Sequence, residues 1–178
     1  MNMVNKKKIL QIAQKAKQAS ISLNTLKTSV KNKVLRSLAK ELIVQKKNIM
    51  KANDKDVSLA KKQGLSTAMI DRLILNEARI QSMAKGVREV AALADPIGEV
   101  VEQRKIDKLQ IKRVRIPLGL IGMIYESRPN VTVDAASLCF KSGNAIILRG
   151  GSEAFHSNTV LVRIIQKTLK SFKIDPNI

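Results

Sequence analysis

Residues 114–158 read VRIPLGLIGMIYESRPNVTVDAASLCFKSGNAIILRGGSEAFHSN, and this stretch decides the fold. Residues 118–125 form an apolar run between Pro117 and a polar turn. Such a run suits a strand buried on both faces of a parallel sheet. Pro129 biases Arg128 away from the helical region, so the chain turns there before it coils. A helix is expected from about Thr132 or Asp134, either of which supplies a short polar cap, with Ala135, Ala136, Leu138 and Cys139 at helical spacing. Gly143 and Asn144 tolerate the left-handed conformation that ends helices. Residues 145–148 form a second short apolar strand, followed by the Arg149, Gly150, Gly151 turn. Ser157 or Asn158 then caps a helix carrying Val160, Leu161, Ile164, Ile165, Thr168 and Leu169. The order β, α, β, α with a right-handed crossover makes the two strands parallel neighbours. Ligands of such sheets bind beyond the carboxyl ends of the strands, where both polar turns lie.

Upstream, the sequence to Ala94 is almost wholly helical in pattern. Ile9, Ile12, Ala13, Ala16 and Ala19 make one apolar stripe, and Val30, Val34, Leu35, Leu38, Leu42 and Ile43 make a longer one. A third pattern with Val57, Leu59 and Ala60 stops at Gly64. Ser66 caps a short segment through Leu73, and Asn76 caps a helix burying Ile80, Met83, Ala84, Val87 and Ala91 that ends by Asp95 and Pro96. Between Gly98 and Arg115 the period shortens toward two, as in a charged, exposed antiparallel ribbon at an edge of the fold or reaching toward another subunit. The expected architecture is therefore α/β. A helical part (1–97) and a β-ribbon (98–116) lead into the first half of a Rossmann-like parallel sheet (117–178).

A chain of 178 residues buries roughly 70% of its unfolded surface, enough for a sizeable core. Its apolar runs fall short of the ~20 residues of a membrane span, and the opening MNMVNKKKIL lacks the apolar segment of a signal peptide. One cysteine excludes an internal disulfide, so a reducing, cytoplasmic setting is expected. The net charge of +19 invites a polyanion partner. However, the cations are spread along the chain, and one Tyr and three Phe offer little for base stacking. The charge is read as a solvated cationic surface, with no specific nucleic-acid partner, no membrane and no metal.

The block RVRIPLGLIGMIYESRPNVTVDAASLCFKSGNAIILRGGSEAFHSN, with KANDKDVSLAKKQGLSTAMIDRL and ALADPIGEV upstream, resembles the gamma-glutamyl phosphate reductase family of the aldehyde dehydrogenase superfamily. The resemblance spans essentially the whole chain but only the family's N-terminal part, since members run to more than twice this length. It implies NADPH-dependent reduction of L-glutamyl 5-phosphate to L-glutamate 5-semialdehyde and phosphate in proline biosynthesis, by a homo-oligomer. In that chemistry a cysteine thiolate displaces phosphate to give a thioester, and hydride reduces it through an oxyanion. The nucleophile belongs to a later segment, absent from this chain. The alternative expectation is a noncatalytic piece that binds nucleotide or pairs with a subunit.

By the resemblance, Asn130 donates its side-chain amide to the oxyanion; by its residues alone it closes the Pro129 turn. Arg149, Ser152 and Glu153 match the place that holds the adenosine ribose, where a guanidinium pairs with a 2′-phosphate and so favours NADPH. Read without the family, Arg149 is a solvated strand-end cation. Gly150 and Gly151 either make the turn or admit the cofactor to the backbone. Arg128 holds an anionic group of substrate or cofactor, or pairs with Glu126. Cys139, on an apolar helical stripe, is expected to be structural, and His156 to be a surface residue just before a helix.

Overall fold

The computed structural model describes residues 3–178, with side chains from residue 6. Five helices come first: α1 (Met3–Leu23), α2 (Thr28–Val44), α3 (Lys46–Lys62), α4 (Thr67–Leu73) and α5 (Glu77–Ala92). The two expected N-caps are present. Ser66 Oγ accepts from the Met69 amide, and Asn76 Oδ1 accepts from the Arg79 amide at 2.8 Å, each satisfying a donor that the first turn leaves free. Strands β1 (Val100–Ile106) and β2 (Leu109–Val114) pair antiparallel around a turn at Asp107 and Lys108, where Asp107 takes φ +51°. Asp is one of the few non-glycine residues that visit this region readily.

Strand β3 (Leu120–Ile124), helix α6 (Asn130–Lys141) and strand β4 (Ala145–Arg149) then form the crossover unit, with β3 and β4 parallel. After a 3₁₀ turn at Ser152–Ala154, helix α7 (Phe155–Ser171) closes the chain. Gly143, at φ +72°, ends α6 in the left-handed conformation. Its amide donates to Phe140 O and that of Asn144 to Cys139 O, satisfying two terminal carbonyls. The Asn144 side chain then accepts from the Gly119 amide at 2.8 Å, which sets the start of β4 beside the start of β3.

The main core lies between helices. Leu35 and Leu42 of α2, Ile80 and Val87 of α5, Val133 of α6 and Leu161 of α7 are all buried in one cluster. A charged group ties the same helices together. Lys31 Nζ, only 2% exposed as a residue, lies 2.9 Å from Asp95 Oδ2 and donates to Lys141 O. Burial alone would raise the Asp95 pKa, but the Lys31 ammonium, the Ile97 amide and the Thr28 hydroxyl together hold it below its usual value. Burial lowers the Lys141 pKa, and its ammonium is held by Asn32 Oδ1 and Ala91 O.

Four expectations are corrected. The run at 118–125 is not buried on both faces: Leu118 is 81% and Ile124 80% exposed, because β3 has a single neighbour, β4. Ile9 and Ile12 are exposed, and α1 buries its stripe only from Ala16 onward, near where Lys17 and Ser20 crowd Gly119. Leu59 and Leu138 are also exposed, although their neighbours Ala60 and Phe140 are core. Finally, α6 begins at Asn130 rather than at Thr132 or Asp134. Pro129 at φ −59°, ψ −30° is already helical and requires no side-chain cap.

Among the described residues, no helix is long and apolar enough to cross a membrane, and no cluster of His, Cys, Asp or Glu is arranged to hold a metal ion.

Candidate nucleotide and oxyanion site

Both polar turns emerge at the carboxyl ends of β3 and β4, where the ladder continues one rung further through the Tyr125 amide to Arg149 O at 3.1 Å. A short polar chain fastens them to the helices behind. Tyr125 Oη lies 2.6 Å from Thr132 Oγ1 in the first turns of α6, and Thr132 Oγ1 lies 2.9 Å from Asn158 Oδ1 in α7. Thr132 is fully buried, and burial pushes the Tyr125 hydroxyl pKa up against the opposing Thr132 bond. The Tyr125 and Thr132 hydroxyls are therefore both partnered, as buried polar groups require. The two turns are held in one fixed relation.

The glycines of the second turn have a steric reason. A Cβ on Gly150 would run into Asn158 Nδ2 and stand 3.0 Å from the Tyr125 hydroxyl; one on Gly151 would run into Glu153 Oε2. Neither glycine has a positive φ. Gly150 thus lies close against Asn158 and Tyr125, and Gly151 against Glu153, while both also line the cavity beside Arg149.

The start of α7 is anchored from far away in sequence. Asp56 of α3, buried, accepts from the amides of His156 (3.0 Å) and Ser157 (2.7 Å) and from Ser157 Oγ (2.6 Å). A carboxylate at a helix N-terminus meets both free donors and the positive end of the dipole. Asn53 extends the network, donating to Leu73 O and Ser157 Oγ and accepting from the Leu75 amide. Ser157 and Asn158 therefore do not cap α7, as the local sequence suggested; they lie inside it. His156 likewise lies within the helix, half-buried, its ring edge-on to Phe155.

Two cavities flank the fastened turns. One, of about 580 Å³, lies between α5 and the first turns of α6 and is lined by Arg128, Asn130 and Asp134. Asn130 Nδ2 donates to Asp134 Oδ2 at 3.0 Å, while burial raises the Asp134 carboxyl pKa against that bond. A primary amide has two N–H donors, so one is left for a ligand in the cleft. Arg128 lines the same cleft and makes no ion pair with Glu126 among the described residues; only its amide reaches Glu126 O, at 2.7 Å. The other cavity, of about 460 Å³, brings together Arg149, Gly150, Gly151 and Ser152. Glu153 does not line it but touches its edge, with Oε1 accepting from Ser152 Oγ at 3.4 Å and Oε2 from Ser127 Oγ at 3.2 Å.

Cys139 lines neither cavity. It is half-buried on α6, and burial pushes its thiol pKa up, away from the thiolate that attacks carbonyl groups.

No family model matches the chain. Curated relatives do: the gamma-glutamyl phosphate reductase of Halothermothrix orenii is 52% identical over 164 residues, which are 92% of this chain and 39% of that protein. The crystal structure of the Thermotoga maritima gamma-glutamyl phosphate reductase superposes with a TM-score of 0.92 at 43% identity, over 94% of this chain and 41% of that one. Over about nine-tenths of its length the chain is similar to the N-terminal part of gamma-glutamyl phosphate reductases. It spans about 40% of the length of the curated relatives it matches. A probable aldehyde dehydrogenase from Listeria monocytogenes, at 14% identity and a TM-score of 0.68 over 97% of this chain and 36% of that one, shares the fold. The shared α/β architecture thus agrees with the reading of residues 114–158.

Tyr125, Thr132, Asn158 and Asp56 went unread as site residues in the sequence. Asn130 and Asp134 are four apart, and their bond follows from helical spacing once the helix start is placed correctly. The other contacts span loops or distant helices and leave no local signal.

Proposed function

We propose that the chain supplies the nucleotide-binding turn and oxyanion donor of an enzyme that reduces L-glutamyl 5-phosphate to L-glutamate 5-semialdehyde with NADPH, releasing phosphate, as a step of proline biosynthesis in the cytoplasm. The observation that carries the reading is the locked pair of turns: Asn130 and Arg149 on opposite sides of one rigid polar chain, in a family named for this reaction.

The cavity at Arg149 fits a nicotinamide nucleotide. It opens beyond the carboxyl ends of parallel strands, and Arg149 is exposed without an ion-pair partner among the described residues. When bound, the nicotinamide supplies the hydride. Arg149, with Ser152 and the Gly150–Gly151 backbone, holds the adenosine ribose and its 2′-phosphate. Glu153 acts behind this contact by fixing Ser127 and the turn. In the other cavity, the free N–H of Asn130 points its dipole at the oxygen that gains charge as the acyl carbon becomes tetrahedral. Asp134 orients that amide, and Arg128 draws the substrate's anionic groups toward it. Cys139 stays a packing residue, so the displacing thiol comes from outside these residues. Residues 1–97 serve as the helical part of the cofactor-binding domain, and the ribbon at 98–116 as an arm toward another subunit of a homo-oligomer.

The raised thiol of Cys139 favours a second, narrower reading for the chain assayed alone: nucleotide binding without turnover. Both are tested by a chimera in which this chain replaces the matching 41% of the Thermotoga maritima protein. Phosphate-dependent reduction of NADP⁺ by L-glutamate 5-semialdehyde is expected from the chimera and not from the chain alone. Asn130→Ala in the chimera should lower kcat by about 10²- to 10³-fold with NADPH binding unchanged. A folded chimera that loses nothing on that substitution contradicts the oxyanion role.

A further inference from the structure

Helix α7 presents a stripe to the Arg149 cavity that the family's named reaction does not account for. Phe155, Thr159, Arg163 and Gln166 recur at steps of four, four and three, which places them on one helical face, and all four line the same cavity as Arg149. Two arginines thus line one cavity. Both are exposed, and neither has a carboxylate within ion-pair distance among the described residues. Two like charges facing a common space are relieved by a dianion shared between them. Phe155 is 65% exposed on the same stripe, in a chain with only four Phe and Tyr residues, so a flat apolar face stands beside the cations. Thr159 has no donor to offer a phosphate oxygen, since its hydroxyl donates to Phe155 O at 2.7 Å.

We propose that Arg163 is a second contact for the phosphate on the cofactor's adenosine ribose, so that Arg149 and Arg163 together set the preference for a 2′-phosphorylated nucleotide. This rests on the reading of the Arg149 turn as the cofactor site. A planar guanidinium fork matches phosphate oxygens in pairs, and two forks from different elements converge on one group in a way a lone surface cation does not.

The test is equilibrium binding of adenosine 2′,5′-bisphosphate and adenosine 5′-monophosphate to the full 178-residue chain by calorimetry at fixed salt. Arg163→Gln should weaken the bisphosphate about tenfold and leave the monophosphate within about twofold, with Arg163→Lys recovering part of the loss. Arg104→Gln on the distant ribbon removes the same charge and should leave both affinities unchanged. Equal weakening of both nucleotides by Arg163→Gln, an unchanged preference, or the same loss from Arg104→Gln overturns the role of Arg163. If the unsubstituted chain keeps its helical circular dichroism but binds neither nucleotide, the cofactor reading itself fails and this proposal with it.

Discussion

The helical half and the sheet half of this molecule use apolar residues in opposite ways. Between α2, α5, α6 and α7, nearly every long aliphatic side chain facing inward is buried, and the one buried lysine pair is answered by Asp95 and backbone carbonyls. Along β1 to β3, by contrast, Val100, Ile106, Leu109, Leu118 and Ile124 all face solvent. A two-stranded parallel sheet has two open edges and little apolar cover. The main core therefore lies among the helices, while the polar turns are positioned by hydrogen bonds to those helices together with the last rung of the β3–β4 ladder.

The largest effect is expected at Asp95. Asp95→Ala strands the buried Lys31 ammonium and should cost about 3–5 kcal/mol in urea unfolding. The same contact has a pH signature. Because the folded pKa of Asp95 lies below its unfolded value, its stabilisation is fully present above that value and is lost as pH falls through the folded pKa. Acid titration of the Asp95→Ala protein should accordingly show a weaker loss of stability below about pH 4 than the unsubstituted protein, by the ordinary carboxylate range. Leu42→Ala, in the centre of the helical core, should cost about 2–5 kcal/mol by the same measurement. Asp56→Ala removes the cap of α7 and should cost about 1–2 kcal/mol, with amide hydrogen exchange accelerating first at His156 and Ser157. On the sheet side, Ile124→Thr should change stability by less than about 0.5 kcal/mol while reducing self-association in light scattering. A cost at Ile124 comparable to that at Leu42 would mean that the sheet, not the helices, holds the molecule together.

The same contrast explains what was legible in the sequence. Caps at Ser66 and Asn76, the ends at Gly64 and Gly143 and the β, α, β, α order all depend on residues a few positions apart, and all appear as read. The burial of residues 118–125 was misread because a strand's burial depends on its neighbours in the sheet, and β3 has only β4. The start of α7 was misread because its cap, Asp56, lies about a hundred residues upstream. Asn130 and Arg149 were singled out through the family resemblance, and both lie at the ends of the two polar turns. The Tyr125, Thr132, Asn158 chain that holds them in register was not, since each contact joins a different pair of elements.

The central claim is that the turn after β4 is a cofactor site, and NADPH fluorescence measures it most directly. Titrating the chain into NADPH should give a saturable rise and blue shift in emission, lost on Arg149→Gln with the helical circular dichroism unchanged. Binding that survives Arg149→Gln at full strength, or no binding by the folded chain, would contradict the account.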